Sequence, residues 1–227
     1  MKQLLRSDAM PVSAVIFDLD GTLIDSAGDL QSAVNRMLED FRCARLSPVE
    51  FRGMFGDGAG ALIARVLAAR PGCLIDHAAA LKRFLEHYET DLTTLTHPYP
   101  GVQETLDVLH RRGMKLAVCT NKATALTRTI LQRLRLEGYF TRVVGGDGLP
   151  FRKPDPRVLF EVLTQLQIPA ASSVLVGDSE VDAATAKAAG VPFVLMTHGY
   201  HRGPVGEIPC VIALDHFGQL ETFLGGS

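Results

Sequence analysis

Two aspartates one residue apart, Asp18 and Asp20, follow the short, mostly apolar run 11–16 and stand within Phe-Asp-Leu-Asp-Gly-Thr-Leu-Ile-Asp-Ser (17–26). Side chains two apart on an extended chain project to the same side. Two acids held that close repel, which pushes one pKa upward, and a divalent cation removes the conflict. Hard carboxylate oxygens suit Mg²⁺. Taken alone, the pair reads equally as an acidic turn bent at Gly21. Three further segments are loaded in the same way. Thr120, Asn121 and Lys122 end the apolar run 115–120; Lys153 sits in Phe-Arg-Lys-Pro-Asp-Pro; Asp178, Ser179 and Asp182 follow the run 173–178. Singly, Thr120, Asp178 or Ser179 could be helix N-caps and Lys153 a solvated loop lysine. Jointly they put three carboxylates, a hydroxyl and a lysine on one edge.

That edge belongs to a sheet. Short apolar runs at 11–16, 115–120, 142–147, 173–178, 193–197 and 210–214 alternate with helical stretches at 122–134, 156–166 and 180–189. The spacing predicts a parallel sheet covered on both faces, with right-handed crossovers. Ligands bind such sheets beyond the carboxyl ends of the strands. Residues 27–97 differ, with no convincing strand. Leu30, Val34, Met37, Leu38 and Phe41 recur at helical spacing. Ser47 and Pro48 read as the start of a helix, and 60–70 and 76–92 as two more. The expected organisation is an α/β core over 10–26 and 98–227, with a helical lid over 27–97 inserted after the first strand. Its joints fall at 25–27 and 97–101, where Pro98, Pro100 and Gly101 suggest a hinge.

Carboxylates, a hydroxyl and a lysine at one sheet edge suit phosphoryl transfer, where catalysis is mostly positioning and charge neutralisation. Mg²⁺ and Lys153 supply fixed positive charge. The Thr120 hydroxyl donates to phosphate oxygens. Asp18 is placed to attack phosphorus, and Asp20 to protonate the leaving oxygen and later deprotonate water. Asp178 completes the metal site, and Asp182 either ligates through water or orients Lys153.

The segments FDLDGTLIDS, CTNK, RKPDP and VGDSEVD occur in this order, and over residues 12–223 the chain resembles the haloacid dehalogenase superfamily of phosphatases. The resemblance implies a Rossmann-like core with a small helical cap. It implies Asp18 as nucleophile and Asp20 as acid/base and main-chain-carbonyl metal ligand. It further implies Thr120 and Asn121 as phosphate contacts, Lys153 as charge anchor and Asp178 as metal ligand. Within the superfamily, HPYPGV, TNKA, GDGLPFRKPDP and THGYHRG are similar to phosphoglycolate phosphatases. The cap segment FGDGAGALIARVL is where substrate choice is expected, through Gly56, Asp57 and Arg65; Arg65 or Arg52 is suited to a substrate carboxylate. Arg65 as a solvated helix-face residue and Asp57 as a turn residue remain equally good readings, and His198 and His201 read as loop histidines.

Asp20 argues against the carbon–halogen hydrolase branch, which needs no such acid. Alternatives within the superfamily are a sugar-phosphate phosphatase, a β-phosphoglucomutase-like phosphotransferase or a pyrophosphatase. A binding module without turnover would need no nucleophile. The composition fits these expectations: 227 residues, 47% apolar, and net charge −2 with pI about 6.4 give no reason to expect nucleic acid. No apolar stretch reaches the roughly 18 residues of a membrane span. The apolar run after Lys2 and Arg6 ends too soon for a signal peptide, which predicts a cytoplasmic protein. Cys43, Cys73, Cys119 and Cys210 lack metal-ligand spacing and are expected to be reduced and partly buried. The expected partner is a small phosphorylated metabolite, and the expected state a monomer or homodimer.

Overall fold

The computed structural model describes residues 12–225; Pro11 of the first predicted strand, and residues 10, 11, 226 and 227 of the predicted core division, lie outside them. In chain order the elements are β1 (Ala14–Phe17), β2 (Ile24–Asp25), α1 (Ala27–Asp40), α2 (Pro48–Phe51), α3 (Ala59–Ala68), α4 (His77–Thr90), β3 (His97–Pro98), α5 (Val102–Arg111), β4 (Lys115–Cys119), α6 (Thr124–Arg133), β5 (Arg142–Val144), α7 (Arg157–Leu166), β6 (Ser173–Gly177), α8 (Glu180–Ala189), β7 (Phe193–Met196), β8 (Ile212–Leu214) and α9 (Gly218–Gly225).

Six strands form one parallel sheet in the order β5-β4-β1-β6-β7-β8. The chain builds outward from β1 to one side, then returns to build outward on the other. This is the doubly wound, Rossmann-like order, and its reversal falls between β1 and β6. Alternate residues of a strand face opposite sides, and each side meets its own apolar layer. Val15 and Phe17 join Leu116, Val118, Val174 and Val176 on one face; Ala14 and Ile16 join Ala117, Cys119 and Leu175, with Leu159 and Val162 of α7, on the other. Burial on both faces is why these strands read as continuous apolar runs.

The strands end a little earlier than the sequence predicts: β4 stops at Cys119 and β6 at Gly177, which leaves Thr120 and Asp178 in the loops beyond. Two helices were not anticipated, α5, with Val102, Leu106 and Leu109 buried, and α9.

Helices α1 to α4 form the insert. Ser47 and Glu50 make a reciprocal capping box on α2, and the Asp76 side chain accepts from Ala79 N at the start of α4, satisfying amides that helix ends leave free. The chain leaves and re-enters the core through a two-stranded antiparallel ribbon, with Ile24 opposite Pro98 and Asp25 opposite His97. The two predicted joints, the second of them a predicted hinge, are therefore paired to each other. Asp29 adds to this, accepting from Leu95 N, Thr96 N and the Thr96 hydroxyl.

One cysteine expectation is corrected. Cys43 and Cys73 form a disulfide, with Cα atoms 5.8 Å apart, while Cys119 and Cys210 are free. The pair joins the loop after α1 to the loop between α3 and α4. Their separation of 30 residues leaves no local spacing signal.

Candidate active site

The crevice between β1 and β6 holds the first acids. Asp18 N donates to Val176 O at 2.9 Å, so the residues just past the two strands are side by side. Asp18, Asp178, Asp182 and Lys153 are all buried. Lys153 Nζ lies 2.9 Å from Asp18 Oδ1 and 2.5 Å from Asp182 Oδ1. Asp182 is the third residue of α8, and its Oδ2 accepts from Ser179 Oγ at 2.6 Å and from the amides of Asp178 and Ser179. Ser179 is thus the N-cap, in a capping box with Asp182; Asp178 is not. Asp178 Oδ1 accepts from Thr22 Oγ1 at 2.8 Å and Oδ2 from Tyr200 N at 2.6 Å. A Cβ at Gly21, whose φ is +84°, or at Gly199 would run into the Asp178 carboxylate. Glycine at both positions lets the backbone close around that acid.

Burial pushes the Asp18 carboxyl up to about 6, against the attraction of Lys153 and with Asp182 adding repulsion. Asp178 is raised well above its usual value, first by burial and then by the charges of Asp182 and Asp18. Burial alone would lower Lys153, but Asp18 and Asp182 more than offset it and its ammonium ends above the ordinary lysine value. One cation is thus shared by Asp18 and Asp182, with Asp178 crowded beside them.

Ligand atoms of Asp18, Asp178 and Asp182 lie within 4.8 Å of one another. Hydrogen bonding sorts them. Both oxygens of Asp182 and of Asp178 have donors, whereas Asp18 Oδ1 is buried with no hydrogen-bond partner among the described residues, at ion-pair distance from Lys153 but outside hydrogen-bond geometry. An orphaned carboxylate oxygen beside a second buried carboxylate fits a small, hard divalent cation. Asp18 and Asp178 are the side chains that could hold it, since Asp182 is taken up by the Lys153 ammonium and the N-terminus of α8 and so orients Lys153.

Asp20 points elsewhere. Its Oδ1 accepts from Ser26 Oγ at 2.6 Å, and both its oxygens accept from Lys122 Nζ at 2.9 Å. The Lys122 ammonium lies 4.7 Å from the centre of the Tyr88 ring, a cation–π placement. Burial opposes its charge, but Asp20 and Tyr88 together more than offset burial and hold its pKa above the usual value. These groups wall a cavity of about 250 Å³ between the sheet edge and the insert. Asp18, Asp20, Thr120, Asn121 and Lys122 line one side; Leu30, Phe55, Gly56, Leu62, Leu81, Phe84 and Tyr88 line the other. Thr120 Oγ1 accepts from Lys122 N, so Thr120 does not cap α6, whose N-cap is Ala123. Asn121 Nδ2 donates to Lys153 O at 3.0 Å and to Gly56 O of the insert at 3.4 Å. The buried Tyr88 hydroxyl and Asn121 Oδ1 have no hydrogen-bond partner among the described residues.

Of the insert residues singled out from the sequence, Gly56 reaches the cavity wall. Arg65 pairs with Asp57 and donates to Met54 O at 2.9 Å. Asp57 also pairs with Arg202, beyond β7 in the core. Arg52 is exposed. His198 packs against Tyr99, and His201 bonds the carbonyls of Gly203 and Thr197, as loop histidines would. Sequence reasoning picked out Lys122 without giving it a role, and assigned none to Tyr88, Thr22, Ser26 and Tyr200. The Tyr200 hydroxyl accepts from the amides of Ser26 and Ala27 and donates to Asp25 at 2.8 Å, strapping the entry to the insert. A usable signal existed for Lys122, which directly follows Thr120-Asn121, and for Thr22 and Ser26, which lie in the same ten-residue segment as Asp18 and Asp20.

With this geometry in hand, known proteins place the chain. The family described as haloacid dehalogenase-like hydrolase matches residues 15–196. A phosphoglycolate phosphatase of Cereibacter sphaeroides (strain ATCC 17025 / ATH 2.4.3) is 46% identical over 216 residues, covering 92% of this chain and 96% of the relative. One of Rhodospirillum rubrum is 44% identical over 218 residues, covering 93% and 90%. A crystal structure described as a predicted phosphoglycolate phosphatase from Haemophilus somnus 129pt superimposes with a TM-score of 0.90 at 28% identity, covering 93% of this chain and 97% of that one. The chain belongs to the haloacid dehalogenase-like hydrolases.

Proposed function

We propose that the protein is a Mg²⁺-dependent phosphomonoester hydrolase that works through an aspartyl-phosphate on Asp18, with 2-phosphoglycolate as substrate. The observation that carries the reading is the pairing of Asp18, set in a buried acid–lysine cluster, with Asp20, two residues on and facing the cavity. Relatives named phosphoglycolate phosphatase support the substrate.

Asp18 attacks phosphorus and is afterwards released by water. Asp20 protonates the leaving oxygen, then takes the proton from that water. Lys122 and Ser26 hold the Asp20 carboxylate at the cavity wall. Thr120, Asn121 and Lys153 bind the phosphoryl oxygens, and Asp182 fixes Lys153. Mg²⁺, held by Asp18, Asp178 and the main-chain carbonyl of Asp20, would neutralise charge on the phosphoryl group. In this reading residues 27–97 are a cap over a core of 10–26 and 98–227, and they shield the site from water. The proposed setting is the cytoplasm, and the proposed state a monomer or homodimer.

The test is phosphate release from p-nitrophenyl phosphate and 2-phosphoglycolate. EDTA should stop it and Mg²⁺ restore it, and Asp18→Asn should abolish it. Metal-dependent turnover persisting in Asp18→Asn would contradict the mechanism.

A further inference from the structure

Resting on the phosphatase reading, we propose that Arg152 pairs with a carboxylate on the leaving group, which makes phosphate esters of small hydroxy acids the substrate class. The cations near the cavity have distinct fates. Lys122 is bound to both oxygens of Asp20. Arg65 and Arg202, which do not line the cavity, share Asp57. Lys153 is held between Asp18 and Asp182. Arg152 lines the cavity, and no hydrogen bond or ion pair engages its guanidinium among the described residues.

Its position suits the task. Arg152 directly precedes Lys153, so the loop that brings the cluster its ammonium also brings this guanidinium to the neighbouring wall. Its Nη1 lies 3.8 Å from where a Cβ on Gly58 would be, so it reaches the glycine-rich turn of the insert. The acids of the wall leave it free: Asp18 faces Lys153, Asp20 faces Lys122, and Asp147 Oδ1 accepts from Thr124 N and Oγ1 at 2.7 Å. The facing wall is largely apolar, with Leu62, Leu81 and Phe84, beside which an unpaired carboxylate would be costly. A planar guanidinium that meets a carboxylate with two parallel hydrogen bonds offsets that cost. The specificity cation therefore comes from the core loop before Lys153, not from Arg65 of the insert.

The experiment measures kcat and KM on 2-phosphoglycolate and on 2-hydroxyethyl phosphate, which keeps the skeleton and replaces the carboxylate with a neutral alcohol. It compares wild type, Arg152→Gln and Arg152→Lys, with circular dichroism to verify folding. The wild type should favour the acid in kcat/KM by about tenfold or more. Arg152→Gln should cut that preference about tenfold, mostly through KM on the acid, and Arg152→Lys should keep part of it. A preference that survives Arg152→Gln within about twofold, or a wild type that treats both esters alike, overturns the assignment of Arg152. If the wild type releases phosphate from p-nitrophenyl phosphate but from neither ester, the assignment of Arg152 is overturned; if it releases none from any of the three, the phosphatase reading fails, and this inference with it.

Discussion

Lys153 carries the charge balance of the site. It is buried between two carboxylates, and its removal leaves both without their cation. Breaking a buried ionic cluster from one side costs about 3–5 kcal/mol, and losing a transition-state donor costs on the order of a hundredfold in rate. Lys153→Met should therefore lose both stability, read by urea unfolding, and turnover, read by phosphate release. Adding Asp182→Asn to that variant should restore part of the stability, because one unpaired acid is gone, without restoring turnover. Recovery of turnover in the double variant would make Lys153 a structural counter-ion alone. The motif acids and this lysine were readable because each stands at a strand end or within a short, distinctive segment. Their partners were not. Lys122 meets Asp20 across 102 residues, and Thr22 meets Asp178 across 156. Contacts set by the closure of the sheet leave no periodic trace in the chain.

The insert turn and the core loop meet through the Arg65–Asp57–Arg202 clasp. Partial burial works against the Asp57 carboxylate, but the two guanidiniums hold its pKa below the usual range. A depressed carboxyl pKa stabilises the fold fully above the unfolded value, about 3.9, and loses that effect as pH falls through the folded value. With side chains 26–42% exposed, solvent limits the gain to about 1 kcal/mol or less. Asp57→Asn should thus lower Tm at pH 7, and the gap to wild type should narrow as pH drops below about 4. A gap that is constant with pH would show that the charge on Asp57 does not contribute. The longer elements behind this clasp were legible: α1 from Leu30, Val34, Met37 and Leu38, and α8 from its Ser179 cap and closing Gly190. The β2–β3 ribbon was not, since strands of two residues are too short to show alternation. Nor was the Arg202 arm of the clasp, because 145 residues separate it from Asp57.

The insert and the core share apolar contacts as well as charges. Met37, Phe84 and Tyr88 of the insert belong to the same buried cluster as Phe17, Val118 and Phe217 of the core. Phe55 stacks on Tyr200 at 4.5 Å between ring centres, and Arg202 donates to Phe55 O at 2.8 Å. Apolar burial is cooperative when one continuous layer must be exposed at once, since opening either part strips surface from the other. The chain should therefore unfold in a single thermal transition, with calorimetric and van't Hoff enthalpies equal. Orthophosphate, bound at the cavity between the two parts, should raise that one transition by mass action. Two transitions, of which phosphate shifts only the one assigned to the core, would mean that α1–α4 fold on a core of their own and that the shared layer contributes little.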